Sequence, residues 1–436
     1  MRFHRLLLVL VLVVGLSPAL SIADQHAYES AADLSASDIL SPELLRSDHH
    51  EVDDRVLSDG YLNYYTIKSD FGEFEAAGTY LLETRVGEIE ALAALNDLSK
   101  TKVFATAAKD AGIAQLRTVQ EFATRPISTI VGIPQGIGRM FGRYTRKTKE
   151  TAADVAETAS DLVSSDDEDE AGASDDDEST ASKAAGAAVG LTESYLGVGG
   201  AQRNWARKLG TDPYSSNETL QAAIKEYAWA ERLGSFGMGF AGIPSIPGAN
   251  FIDVGNEAVW SKDPWELADL NRERLQATGA SEELIEIYLD NGRMTPTQQT
   301  MLTATIAELD GVEGRDGILR QSLQPNGETE INFFIQSVAI LAWYHINKAP
   351  LASVETYATV PVANAENGDA VLAFAVDHLY FTETIAAVGG AHADWKSPDQ
   401  AAGVWLLGTA SERSKSELTA MGFDVHEDTR AAMYDK

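Results

Sequence analysis

The sequence predicts an α+β protein, predominantly helical, with a small N-terminal α+β unit, an acidic disordered linker and a larger helical region ending in a small α/β unit. Three observations carry this prediction. Short apolar or alternating runs bounded by turn residues lie near residues 61–75 and again beyond residue 350. Between them, helix-opening signals followed by apolar residues at helical spacing recur. A long acidic run without a single base separates the two parts. At 436 residues with 44% hydrophobic content, the chain has material for sizeable cores, which excludes wholesale disorder. The expected division is a signal peptide over 1–23, a mobile leader over 24–58, an N-terminal α+β unit with a basic amphipathic helix over 59–160, the acidic linker over 161–186, and the helical region with its C-terminal α/β unit over 187–436.

Arg2 and Arg5 precede the apolar run Leu6 to Val14, and Ser21-Ile22-Ala23 supplies small residues for cleavage after Ala23. The run is shorter than the roughly 20 residues a membrane span requires, so export is expected in preference to anchoring. Residues 24–58 are rich in Ser, Ala, Asp and Glu, with one helical turn expected after Ser41-Pro42-Glu43. His49, His50, Glu51, Asp53 and Asp54 fall together here, but their spacing fits no defined metal motif and a solvated cluster is expected.

Tyr61 to Ile67 and Phe71 to Glu75 read as short strands, and Tyr80, Leu81, Val86, Ile89, Leu92 and Leu95 as one helix. A further helix over 101–123 stops before Arg125-Pro126. Pro134 then opens a helix with Ile137, Met140, Phe141 and Tyr144 on one face and Arg139, Arg143, Arg146 and Lys147 on the other. From Phe122 to Lys149 there are six bases and no acid. Two readings stand: a surface helix packed on its own domain, or an interfacial segment that meets an anionic membrane or polymer through Arg139, Arg143, Arg146, Lys147, Ile137 and Phe141. From Glu150 to Glu178 the charge reverses, with 13 acids and no base. That run reads as a solubilising spacer or as a shield for the basic helix.

Beyond the linker, Leu191 to Leu209 reads as the start of the helical region and carries Trp205, and Asn217 is expected to cap a helix with Leu220, Ile224, Tyr227, Ala230 and Leu233. Gly237, Gly239 and Gly242 spell GxGxxG, yet a helix precedes them and Pro244 and Pro247 follow, so a loop is expected instead of a dinucleotide site. Asp263-Pro264-Trp265-Glu266 and Thr295-Pro296-Thr297-Gln298 are capping boxes, and Ser281 opens the helix between them. Ile331 to Ile346 reads as the central core helix, with His345 as a structural histidine at its end. Leu351–Val362 and Ala370–Val376 read as two strands joined through an Asn367-Gly368 turn, and Val404 to Gly408, a helix opened by Ser411, and Phe423 to His426 as a closing strand–helix–strand unit. The Gly408–Ser411 loop turns amides outward at a helix start, a common arrangement that by itself assigns no anion site.

Composition excludes several chemistries. With no Cys there is no disulfide, thiolate metal site or thiol nucleophile. A net charge of -32 argues against a nucleic-acid partner and favours solubility in a saline setting. Serine-hydrolase elbow, zinc-protease and phosphate-loop motifs are missing, and Ser99-Lys100-Thr101-Lys102 lacks the companions of a serine–lysine enzyme. No cofactor or bound metal is expected. The resulting expectation is an exported protein of the bacterial envelope, periplasm or extracellular space, acting as an interaction or structural component. The alternative is a secreted hydrolase with a dispersed acid/base site, for which His345, His378, His392 and carboxylates would have to converge.

Overall fold

The computed structural model describes residues 28–101, 106, 198–233, 256–357 and 360–434. It is a mixed α+β protein with more helix than strand. The basic segment 134–149, with Ile137, Arg139, Phe141, Arg143, Arg146 and Lys147, lies outside the described residues, as do the signal segment, the acidic run and the GxGxxG loop.

Residues 28–58, expected as a mobile leader, instead form β1 (Leu34–Ser35), α1 (Ala36–Ile39), α2 (Pro42–Leu45), β2 (His50–Val52) and β3 (Arg55–Ser58). Ala36, Val52 and Val56 are buried, and Leu34, Leu40, Leu44 and Leu45 pack against the same core. These few apolar residues are spread over short strands and single-turn helices, so no single period reveals them. The chain continues into a hairpin of β4 (Asn63–Ser69) and β5 (Gly72–Ala77), then α3 (Thr79–Ser99). β4 is the centre of an all-antiparallel sheet, with β5 on one edge and β2 and β3 sharing the other. α3 packs on this hairpin.

Two helices that follow the acidic run in sequence, α4 (Val198–Leu209) and α5 (Glu218–Leu233), complete the same core. Trp205 is fully buried and meets the Tyr227 ring edge-on at 5.7 Å, while the Tyr227 hydroxyl donates to the Leu95 carbonyl at 2.5 Å. Residues on both sides of the acidic run therefore share one core.

Apart from Tyr61 and Leu62, the second core is built from residues that follow α6 (Asn256–Ser261). α7 (Pro264–Gln276) and α9 (Pro296–Glu308) open with complete capping boxes at Asp263 and Thr295, and the Ser281 hydroxyl caps α8 (Glu282–Leu289). α10 (Arg315–Gln321) leads into the central α11 (Glu328–Asn347), most of whose residues are buried. His345 ends α11 with its Nδ1 accepting the Leu351 amide at 2.9 Å, so it serves the α11–sheet connection.

The C-terminal sheet has the order β12-β10-β8-β7-β6. The expected single strand over Leu351–Val362 is two strands, β6 (Leu351–Tyr357) and β7 (Val360–Ala365), folded antiparallel on each other. β7 is largely buried while β6 exposes Ala352 and Glu355, and a continuous strand-like composition carries no mark of where the chain reverses. β8 (Ala370–Phe374) is buried on both faces and pairs in parallel with β10 (Ala402–Leu406), which pairs in parallel with β12 (Asp424–His426). Two shorter parallel strands, β9 (His378–Leu379) and β11 (Thr409–Ala410), extend the C-terminal ends of β8 and β10. α12 (Glu383–Trp395) and α13 (Glu412–Ala420) follow them, capped by the Thr382 and Ser411 hydroxyls, and α14 (Thr429–Tyr434) closes the chain. Trp405 on β10 packs against Trp343 and Tyr344 of α11, whereas its neighbour Val404 faces α12 and α13, as strand alternation requires. Among the described residues, no helix is long and apolar enough to cross a membrane.

Candidate functional site

A cluster of polar groups displaced from ordinary behaviour lies around α3, where the two cores meet. At its start, Asp377, one residue past the buried run of β8, accepts the amides of Asn63 at 2.8 Å and Thr79 at 3.0 Å. Burial pushes its carboxyl above the usual range despite those donors. Asp59 is raised for the same reason, while its oxygens accept the Tyr61 and Leu62 amides and the Tyr64 hydroxyl. Burial and the neighbouring Asp59 charge hold the Tyr64 phenol protonated far above its normal range. Glu83, one turn along α3, is raised by burial and pairs with Arg430 from α14.

Farther along α3, Arg85 bridges three segments. It pairs with Glu88 at 2.7 Å, donates to the Ser216 hydroxyl at 2.8 Å and reaches Glu328, at the first turn of α11, at 3.0 Å. Glu88 also accepts from Ser215 and from the Asn217 amide group, the latter at 2.9 Å. The adjacent Asp212 accepts the Thr297 hydroxyl at 2.5 Å and the Tyr214 amide at 2.9 Å. Burial, with repulsion from Glu88 and Glu328, pushes the Asp212 carboxyl up to about 6. A folded-state value above the unfolded one means that this group favours folding at low pH, and that its contribution disappears as pH rises through about 6. Stability of the parent protein relative to Asp212→Asn should therefore fall between pH 4 and pH 7. Urea midpoints for both proteins across that window will check this, and parallel curves would contradict it.

Each of these acids accepts bonds from backbone amides, side-chain hydroxyls or amides, or arginines. Their chemistry is that of docking: a specific polar register between two apolar cores.

A second polar group sits at the C-terminal ends of the parallel strands, where helix starts and loop amides face outward. His378 Nδ1 and Thr409 Oγ1 are 2.6 Å apart, and the His378 ring lies edge-on to Tyr380 at 4.7 Å. Burial lowers the His378 pKa against the pull of Glu29 and Glu427. Glu427 accepts the Ala410 amide at 2.6 Å and pairs with Lys415 at 3.2 Å. Gly408 makes this geometry feasible, because a Cβ there would lie 2.1 Å from the Asp377 carbonyl oxygen.

The three histidines that would have to converge for dispersed catalysis have separate partners. His345 holds Leu351, His378 meets Thr409, and His392 lies under the sheet beside Phe374, with Nδ1 2.9 Å from the Val388 carbonyl. Burial drives the His392 pKa down to about 4, so its ring is neutral and, since a carbonyl only accepts, Nδ1 carries the proton. It borders a cavity of about 20 Å³ lined also by Leu372, Ile385 and Leu418, with room for about one water.

The N-terminal His and Asp group is dispersed in the same manner. His49 pairs with Asp70, His50 meets Ser47 and the Leu44 carbonyl, Asp53 meets Lys68, and Asp54 takes the Ser35 hydroxyl. Among the described residues, no group of three or more His, Asp or Glu is placed to hold a metal ion. Ser99 donates to the Asn96 carbonyl at 2.6 Å and Lys100 pairs with Asp97, so both are helix-end groups. Sequence reasoning missed Asp377, Thr409 and the α3 charges. An aspartate directly after the apolar run 370–376 was the one local signal.

Compared with protein-family models, curated proteins and solved structures, the chain matches none.

Proposed function

We propose that the protein is an exported component of the bacterial envelope or periplasm that works by binding and not by catalysis, with the basic segment 134–149 as its contact to an anionic membrane surface or other envelope polymer. The observation that carries this reading is the charge pattern of the sequence, with the perturbed acids around α3 already engaged in hydrogen bonds between the two cores. Five bases and no acid over 134–149, in a chain of charge -32, make the segment chemically distinct from the acidic run that follows it. In this reading the N-terminal unit, the acidic linker and the helical region with its α/β end form a scaffold, and the linker is a spacer beside the basic segment.

Flotation with anionic vesicles tests the reading. Binding should weaken with salt and be abolished when Arg139, Arg143, Arg146 and Lys147 are neutralised, since each contributes roughly 1 kcal/mol near a charged surface. Deleting 165–179 should strengthen it at low salt, and less so near 0.1 M, where exposed charges are screened beyond about 10 Å. Equal and poor flotation of the intact and four-base proteins, even after that deletion, would reject the contact.

The secreted-hydrolase reading is favoured by one observation, the hydroxyl–imidazole contact of Thr409 and His378. Ester hydrolysis by the parent protein that His378→Ala eliminates would move the balance to it.

A further inference from the structure

The first described residues lie across the C-terminal unit in a way their composition does not announce. Tyr28 to Asp33 belong to no helix or strand. The Glu29 amide donates to the Phe381 carbonyl at 2.8 Å, and the Phe381 amide donates back to the Glu29 carboxylate at 2.6 Å. The same carboxylate oxygen accepts the Ser411 hydroxyl at 2.5 Å. The Tyr28 ring lies 6.3 Å from Phe381, whose ring is also approached by Arg413 at 5.9 Å. The receiving groups come from two parallel-strand ends: Phe381 after β9 and Ser411 at the start of α13.

This is the grammar of extended-peptide recognition: a backbone amide and carbonyl of the receptor take one residue of the guest, and pockets beside them take its side chains. The guest here is the chain itself, and it is held lightly. Tyr28 is 41% exposed, and Tyr28 to Asp33 join no strand ladder, the kind of segment that opens locally at small cost. We propose that the surface between Phe381 and Ser411 is a binding site for an extended acidic peptide of a partner, one presenting an aromatic residue followed by a carboxylate, and that the Tyr28–Ala32 segment is a strap that occupies it in the free protein. The proposal concerns residues remote from the basic segment and stands independently of membrane contact.

A tethered strap competes at an effective concentration on the order of millimolar, so the free site is masked until the strap is lifted. The test uses the full chain carrying Tyr28→Ala and Glu29→Gln, with a fluorescently labelled peptide of the sequence of residues 27–33 as the probe. Anisotropy titration should give at least about tenfold tighter binding to this double variant than to the parent. Adding Ser411→Ala, or replacing the glutamate of the peptide by glutamine, should remove the gain. Hydrogen exchange at the Phe381 amide should accelerate in the double variant before peptide is added and slow again with it. Equal binding to parent and variant, no binding, or indifference to the peptide's glutamate would overturn the proposal. Unchanged protection of the Phe381 amide would overturn it as well, since Glu29 would then not be the latch.

Discussion

Replacing Arg85 by methionine should destabilise the protein by about 3–5 kcal/mol, the cost of leaving a buried acid without its counterion. The Arg85 side chain is 9% exposed and that of Glu88 only 2%, so water cannot take the place of the lost guanidinium. The loss should be nearly independent of salt, unlike that of a surface pair. Because Arg85 binds Glu88 and Ser216 on one side and Glu328 of α11 on the other, its removal should also uncouple the two cores. Urea unfolding followed by Trp fluorescence is then expected to broaden or split. Combining Arg85→Met with Glu88→Gln should recover at least about 1 kcal/mol of the sum of the single losses, as coupled neighbours do. A single change costing less than about 1 kcal/mol would show that the pair is not the buried bridge described here.

Gly408→Ala is expected to be a severely damaging small substitution, at about 3 kcal/mol or more, the upper end of overpacking costs. An added methyl would meet the Asp377 carbonyl oxygen at 2.1 Å, and the Asp377 carbonyl carbon and Val376 carbonyl oxygen both at 2.8 Å. All are backbone atoms held by the Gly408 and Thr409 amides, which donate to Val376 and Asp377 at 2.9 and 3.0 Å, so no side chain can swing aside. Relief requires β9 and β11 to separate, and that displaces Asp377 from the amides of Asn63 and Thr79. Hydrogen exchange should therefore rise at Asn63 and Thr79, hundreds of residues away in sequence, as well as at Thr409. A variant that unfolds at the parent's urea midpoint with unchanged exchange at Thr79 would refute the tight crossing.

The helices of the second core were legible because their signals are local. Asp263-Pro264-Trp265-Glu266, Ser281 and Thr295-Pro296-Thr297-Gln298 state their helix starts within four residues, and a cap needs no distant partner to form. The β4–β5 hairpin and α3 follow equally from alternation and from the recurrence of Leu81, Val86, Ile89 and Leu92. In the last unit, the strand at Val404, the Ser411 cap and the strand ending at His426 are again each contained in a few residues.

Legible in the sequence alone were the capped helices of the second core, the β4–β5 hairpin with α3, the charge segregation between the 122–149 and 150–178 segments, and the lack of thiol chemistry. The tertiary structure alone decided which charges are buried. Glu83, Arg85 and Glu88 occupy ordinary helical positions, and nothing in their spacing distinguishes them from a solvated face. Their partners Arg430, Glu328, Ser215 and Asn217 come from segments far along the chain, on the other side of the acidic run. Asp377 likewise finds its donors at Asn63 and Thr79, and Glu29 finds Phe381 and Ser411. A charge becomes a docking group or a latch only when another element excludes water from it and supplies a donor. Both conditions are set by packing, which periodicity and capping along a single segment do not encode.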